Sequence, residues 1–415
     1  MHSLWRIFWL ELTALRRSKT VAVLWLVSVA WMFALPFLAK GDGTEEGLRE
    51  VVLRYSLGGV FLLLVIALVS SATGSLARER ALRRLQLTLV RPVRYSAIVW
   101  MKGLAHIFVG AFVLATPFLL VSFVFDPARP CFHVCKPVLP SPREEAKAMY
   151  EAYMNDPETP PEIKRTKKSI VMRLLENRAV DHYQTIATNE TALWRFDYAF
   201  GEPREVSVRL RFTNQFDMRD DVRGVFELGE LSSAVSNITQ AVLLIPLGET
   251  ISGETLSFRN QGSNPLMLRP RKDVDLLVSA DGFLRNLLRT YIELVSILSL
   301  LIFFALFLSA ALGRPVAIFV AFVTLLVGEM SPSVIEQYPD ELETDTIDRI
   351  GLVLTRFSAE ISRPVSSLDP LARLAVDECV ESGEVAAVVA TNIFVLPFFL
   401  ALVSGFLLPR KQDES

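Results

Sequence analysis

Six stretches of this 415-residue chain are apolar over close to the length a helix needs to cross a bilayer, about 20 residues. They are 20–39, 55–73, 103–125, 291–312, 315–333 and 386–408. No other feature constrains the fold as strongly, because a segment in lipid has to satisfy its own backbone hydrogen bonds and is therefore helical. The fifth run is the weakest, since Gly328 and Glu329 shorten its uninterrupted part. Apolar residues make up 51% of the chain, and the charged ones are segregated into blocks between the runs. The expectation is a polytopic α-helical membrane protein with six transmembrane helices and sizeable polar segments. A net charge of −2 gives no electrostatic footprint for nucleic acid. The N-terminal stretch carries Glu11 in its apolar part and no small-residue cleavage site, so no signal peptide is read there.

Charge sorting then sets the orientation. Segments 1–20, 74–102, 313–314 and 409–415 hold fourteen Lys and Arg against four acids. Segment 329–384 holds four Arg against thirteen acids. Because Lys and Arg collect on the cytoplasmic side, six spans with both termini cytoplasmic satisfy the distribution. The most concentrated block lies between runs two and three, with Arg78, Arg80, Arg83, Arg84, Arg91, Arg94 and Lys102 against Glu79 alone. It is also the place where another protein is expected to push on this one. At the N-terminus, Leu4, Phe8, Leu12 and Leu15 recur at helical spacing before Arg16, Arg17 and Lys19, which reads as an amphipathic helix on the membrane surface.

Residues 126–290 form an insert large enough for its own core. Its first part reads as helical, SPREEAKAMYEAYMND and PEIKRTKKSIVMRLLENRAVDHY. From 192 the period becomes two: Trp194, Phe196, Tyr198 and Phe200, then Val206, Val208, Leu210 and Phe212. The expectation is an extracytoplasmic α+β domain, a helical part followed by an antiparallel β-sandwich. The chain is thus divided into 1–125 with spans one to three, the domain 126–290, and 291–415 with spans four to six. In 331–385, Ile347, Ile350, Leu354, Phe357 and Ile361 share a face and read as a second outer element, an amphipathic helix.

Motifs for chemistry are few. Gly248-Glu-Thr-Ile-Ser-Gly253-Glu254-Thr255 has the glycine spacing of a phosphate loop, but Glu254 replaces the lysine and would repel phosphate. It reads as a turn between strands, so no nucleotide hydrolysis, no cofactor and no enzyme activity are expected of this chain. Cys131-Phe-His133-Val-Cys135 leaves three readings open: a disulfide between Cys131 and Cys135, which is preferred, unpaired thiols, or three metal ligands lacking a fourth nearby. Cys379 reads as a lone thiol. His106 and Asn392 fall within spans as hydrogen-bonded helix contacts, and Asn286, Arg289 and Glu293 read as interfacial anchors of span four. No mid-membrane pair of acid and base is legible, which counts against an ion-coupled carrier.

These residues together resemble the permease subunits of ABC exporters of the ABC-2 type. Arg78-Glu79-Arg80 matches the family's charged start of the loop, Leu85, Leu87 and Leu89 its leucine-rich turn, Pro92-Val93 its Pro-Val pair, and Ile98 with Lys102 its entry to span three. Leu82-Arg83 stands where the family has Gly-Thr, and Arg84 stands near an expected acid. Glu11-Leu12 followed by Arg16-Arg17-Ser18-Lys19 resembles the family's entry helix. The likeness covers 1–125, and 291–410 by topology only. It implies a permease in a bacterial plasma (inner) membrane, gripped by a separate ABC ATPase subunit at a coupling helix over 76–95. Arg78, Glu79, Arg80, Arg83, Arg84, Leu87, Pro92 and Val93 are the implied contact residues. A second permease copy or a homologue would complete the path, and 126–290 would gate release or receive an extracytoplasmic protein partner. The size of that domain keeps an alternative open, a membrane-anchored receptor or assembly scaffold whose sandwich binds a ligand or protein.

Overall fold

The computed structural model describes residues 2–38, 45–81, 94–126, 129–157, 160, 166, 168–197, 199–213, 221–238, 242–252, 255–323 and 370–410. The chain begins with α1 (His2–Arg17), α2 (Lys19–Leu38), α3 (Glu45–Glu50), a π-helical turn at Val51–Ser56, α4 (Leu57–Ala81) and α5 (Tyr95–Val124). The inserted part holds β1 (Pro130–Cys135), α6 (Pro142–Asn155), α7 (Lys168–Val180), β2 (Gln184–Ile186), β3 (Thr191–Arg195), β4 (Ala199–Arg211), β5 (Asp221–Leu228) and β6 (Leu231–Ile238). It continues through β7 (Val242–Ser252), β8 (Thr255–Asn260), β9 (Leu266–Leu268) and β10 (Val274–Gly282). The rest is α8 (Phe283–Ala311), α9 (Arg314–Val323), α10 (Pro370–Ala375), α11 (Ser382–Val389), a second π-helical segment at Ala390–Val395, and α12 (Leu396–Arg410). The chain separates into two compact units that divide at Arg129/Pro130 and at Asp281/Gly282.

In the helical unit, four helices among the described residues are long and apolar enough to cross a membrane: Val51–Glu79, Tyr95–Val124, Phe283–Ala311 and Ser382–Gly405. A fifth is counted if the pair Leu4–Arg17 and Lys19–Leu35, bent by 61°, is one broken span. The expected fifth run is present as the short apolar helix α9, and residues 324–333 lie outside the described part. Six spans are therefore not what the described residues display; four or five are. Helix α8 is the centre of the bundle, with Leu298, Ile302, Phe303, Ala305 and Leu306 sealed from solvent. Close approach of α5 needs Gly103 and Gly110, because a Cβ at either would come within 2.5 Å of Phe303 or Leu298. At the surface of the unit, Phe108, Phe112, Phe394, Phe398 and Phe399 are exposed, as lipid-facing positions should be.

Helix α1 packs along α5, with Phe8 against Phe108 at 6.3 Å between ring centroids. Phe8 and Leu15 are buried, whereas Trp5, Trp9 and Leu10 are exposed. The predicted amphipathic helix is thus present, docked on a span by its inner stripe. The apolar run ending at 73 stops short of the helix end, since α4 continues unbroken to Ala81. Residues 76–81 are accordingly the last turns of a span helix, not the start of a separate coupling helix. The remainder of the expected coupling helix up to 93 lies outside the described residues, and so does the amphipathic helix at 347–361.

The inserted unit is built from two four-stranded antiparallel sheets, ordered β1-β10-β4-β7 and β3-β8-β5-β6, and a two-stranded pair β2-β9. The alternation from Val206 to Phe212 buries all four predicted apolar residues, and Trp194 and Phe196 are buried too. Phe212 lies 4.9 Å from Phe258, and Phe258 lies 4.5 Å from Phe226, so side chains following both sheets meet in one core. That is the predicted sandwich. Gly248 to Ser252 of the phosphate-loop-like string belong to β7 and Thr255 begins β8.

The cysteine expectation is overturned. Cys135 is a free thiol, and burial pushes it above its usual range, while Cys131 is disulfide-bonded elsewhere. Both residues stand on the extended strand β1. Four residues of strand span about 13 Å, against Cα separations of about 4.4–6.8 Å in a disulfide. Cys379 is also disulfide-bonded rather than a lone thiol.

Helices α6 and α7 pair around Ala146, Val171 and Leu175. The S-P-R-E start of α6 is a capping box: the Glu144 amide donates to Ser141 Oγ at 3.2 Å, and the Ser141 amide donates to Glu144 Oε2 at 2.9 Å. Bonds from the Ser141 backbone and side chain hold the Glu144 carboxyl below its usual range. A lowered folded-state value means that the box stabilises above the ordinary carboxylate range and is lost as pH falls through the lowered one. Protection factors of the first-turn amides of α6, taken against intrinsic exchange at each pH, are expected to fall on acidification, and Ser141→Ala is expected to lower them at neutral pH by about fivefold, the effect of one lost cap. Hydrogen-exchange mass spectrometry reads both.

Candidate functional site

Two clusters of ionisable and amide side chains stand out among the described residues of the helical unit. The first is a network on Lys102, whose relative exposure is only 1%. Its ammonium donates to Glu11 Oε2 at 2.7 Å, Glu79 Oε1 at 2.9 Å and Ser75 Oγ at 3.2 Å. Three protons meet three acceptors, so the buried charge is fully bonded. His106, also buried, lies one turn further along α5. Its Nδ1 faces the Lys102 carbonyl at 2.9 Å, which only accepts, so Nδ1 carries the proton. In the neutral ring Nε2 then accepts from Ser71 Oγ at 3.3 Å.

Local spacing explains this convergence. Ser71, Ser75 and Glu79 stand at i, i+4 and i+8 on α4, and Lys102 and His106 at i and i+4 on α5, so each set lines one helix face. Phe8, Glu11 and Leu15 do the same on α1. One lysine therefore ties together the entry helix, the end of α4 and the start of α5. The two carboxylates exceed the one cation in this cluster.

Of the expected coupling residues, Arg78 is exposed and Glu79 is engaged with Lys102. Arg80 lies in the helix, but its side chain is outside the description, as are Arg83, Arg84, Leu87, Pro92 and Val93. Glu79 is thus bonded to a neighbouring long helix through Lys102. Glu11, Lys102, His106 and Ser75 were not placed together from sequence, although the i, i+4 pattern was there to read.

The second gathering involves α8, α10 and α11. Asn286 donates to the Glu378 carbonyl at 2.9 Å and accepts from the Val380 amide at 2.8 Å, and Arg289 donates to the Val380 carbonyl at 3.1 Å. Arg373 donates to Glu378 at 3.1 Å, to Glu384 at 2.8 Å and to the Cys379 carbonyl at 2.8 Å. Burial works against its charge, but the bond to Glu384 and the nearby carboxylates prevail and hold the guanidinium above its usual value. Asp377, in the left-handed region at φ 57°, accepts from Arg49 and, at 3.1 Å, from Arg129. Asn286 and Arg289 thus anchor a neighbouring segment, as hydrogen-bonded groups inside the protein.

Glu293 departs from the interfacial reading. It is fully buried, and neither carboxylate oxygen has a hydrogen-bond partner among the described residues. Asn392 is likewise buried, and both its amide atoms lack a partner among the described residues, where a hydrogen-bonded contact was expected. Lys102 and Glu293 are thus buried ionisable groups on two of the long apolar helices. No protein-family model matches this chain, and no curated protein does.

Proposed function

We propose that this chain is the membrane-spanning permease subunit of an ATP-driven ABC exporter, coupled to a separate ATPase subunit through the basic stretch between α4 and α5. The observation that carries this reading is the Lys102 network. Residues 82–93 are flanked by α4, which brings Glu79, and by α5, which brings Lys102, and Glu11 of the entry helix joins them. A force applied to that stretch is delivered to three helices at once, and differential contact with a partner in its two nucleotide states is what biases such a bundle.

In this reading the spans are α2, α4, α5, α8, a fifth beginning with α9, and α11 with α12. Both termini lie in the cytoplasm, and the sandwich stands on the other side of a bacterial inner membrane. Cys131 and Cys379 support that orientation, because disulfides persist in oxidising compartments, and this topology places both segments there. A second copy or a homologue completes the path. The alternative, a receptor or scaffold, is favoured by one observation: the 130–281 unit has its own continuous core.

Purification of the chain from its native cells in mild detergent is expected to bring down a P-loop ATPase in stoichiometric amount. Reversing Arg80, Arg83 and Arg84 to Glu is expected to abolish that association, or to uncouple hydrolysis from transport, while the spans stay folded. Recovery without an ATPase, but with a partner held by the sandwich, would establish the receptor reading instead.

A further inference from the structure

Glu293 sits on the stripe of α8 that also presents Asn286 and Thr290, at i, i+4 and i+7, and all three are fully buried. Among the described residues, the Thr290 hydroxyl, like the Glu293 carboxyl, has no hydrogen-bond partner. The π-helical segment Ala390–Val395 packs on α8 and carries Asn392, whose amide is unpartnered as well. Buried polar atoms without partners are rare in folded proteins, and a set of them asks for a missing proton, water or ion.

The counter-charges are few. Stretches 57–75 of α4, 107–120 of α5 and 386–409 of α11 and α12, all in the bundle, contain no ionisable side chain. On α8, the Tyr291 hydroxyl is bonded to the Ala111 carbonyl and Arg289 to the Val380 carbonyl. Among the described residues, the groups that act electrostatically on Glu293 are Arg373 of α10 and Glu384 of α11. Arg373 is already bonded to Glu384 and Glu378, two carboxylates for one cation. Asp377, nearby in sequence, is matched by Arg49 and Arg129. Glu293 would be a third carboxylate on one guanidinium, buried and without a bond. A bare carboxylate in such a place is neutralised by a proton.

We infer that Glu293 is a proton-binding site inside the bundle, and that Arg373 switches between Glu384 and Glu293 as the proton leaves and returns. With the proton on Glu293, Arg373 holds Glu384, the bond seen in the structure. When the proton passes to water, Arg373 moves its Nη donor from Glu384 to the newly charged Glu293. Glu384, whose side chain is 42% exposed, then keeps its charge in water. The exchange draws α8, α10 and α11 together or lets them part, which makes the bundle responsive to protons independently of any ATPase.

The test is infrared difference spectroscopy on the whole chain in lipid nanodiscs, with a pH titration. The wild type is expected to show a protonated carboxylic C=O band at neutral pH that disappears on alkalinisation. Glu293→Gln is expected to fold as well as the wild type and to lack that band. Glu384→Gln frees Arg373 for Glu293 and is expected to shift the band's loss to lower pH. Identical spectra for the wild type and Glu293→Gln would overturn the proposal. So would a Glu293→Gln chain that fails to fold, since the amide replaces the neutral acid in shape and polarity.

Discussion

Lys102→Met is expected to destabilise the helical unit by about 3–5 kcal/mol, because it leaves Glu11 and Glu79 as carboxylates stripped of their shared cation. Denaturant unfolding of the purified chain in detergent, followed by tryptophan fluorescence, reads the loss. The triple variant Glu11→Gln, Glu79→Gln and Lys102→Met removes every charge of the cluster and is expected to regain most of it, since what is expensive is a buried charge left alone. A Lys102→Met loss below about 1 kcal/mol, the range of exposed pairs, would mean that water reaches the cluster and that it does not bind the three helices to one another.

Asp377→Asn is the second large effect. The carboxylate is the common acceptor of Arg49 and Arg129 and is 7% exposed. Removing its charge strands a buried guanidinium, for an expected loss of about 3–5 kcal/mol. Asn tolerates the left-handed backbone as Asp does, so that variant isolates the charge. Asp377→Ala adds the backbone penalty of about 1–2 kcal/mol, and the difference between the two variants measures it. Equal losses would assign no weight to the backbone conformation.

Apolar length and strand alternation were enough to read α4, α5, α8, α12 and the sandwich, since each depends on residues close in sequence. The capping box at Ser141 was written in four consecutive residues. The ion-pair network was not legible in the same way. Lys102 stands at the edge of an apolar run, where a positive charge is ordinarily a loop charge, and its acceptors are 91 and 23 residues away. Glu293 follows Arg289 by one turn and so resembled a head-group anchor, until burial showed which way it faces. The Cys131–Cys135 pairing failed because proximity in sequence is not proximity in space once the segment is extended. Of the six apolar runs, the described residues display four or five as long helices, because composition marks an apolar stretch without saying where its helix begins and ends.

The π-helical segment at Ala390–Val395 has a consequence for the outer surface of the bundle. A π-turn holds one more residue than an α-turn, and each residue of an α-helix turns the azimuth by about 100°. The segment thus resets the phase of everything that follows it, so that Phe394, Phe398, Phe399 and Leu402 point outward while Ala401 and Ser404 point in. Deleting a single residue there would leave an apolar helix of nearly the same length and hydropathy. Its aromatic ridge, however, would be rotated by more than a quarter-turn away from its present bearing.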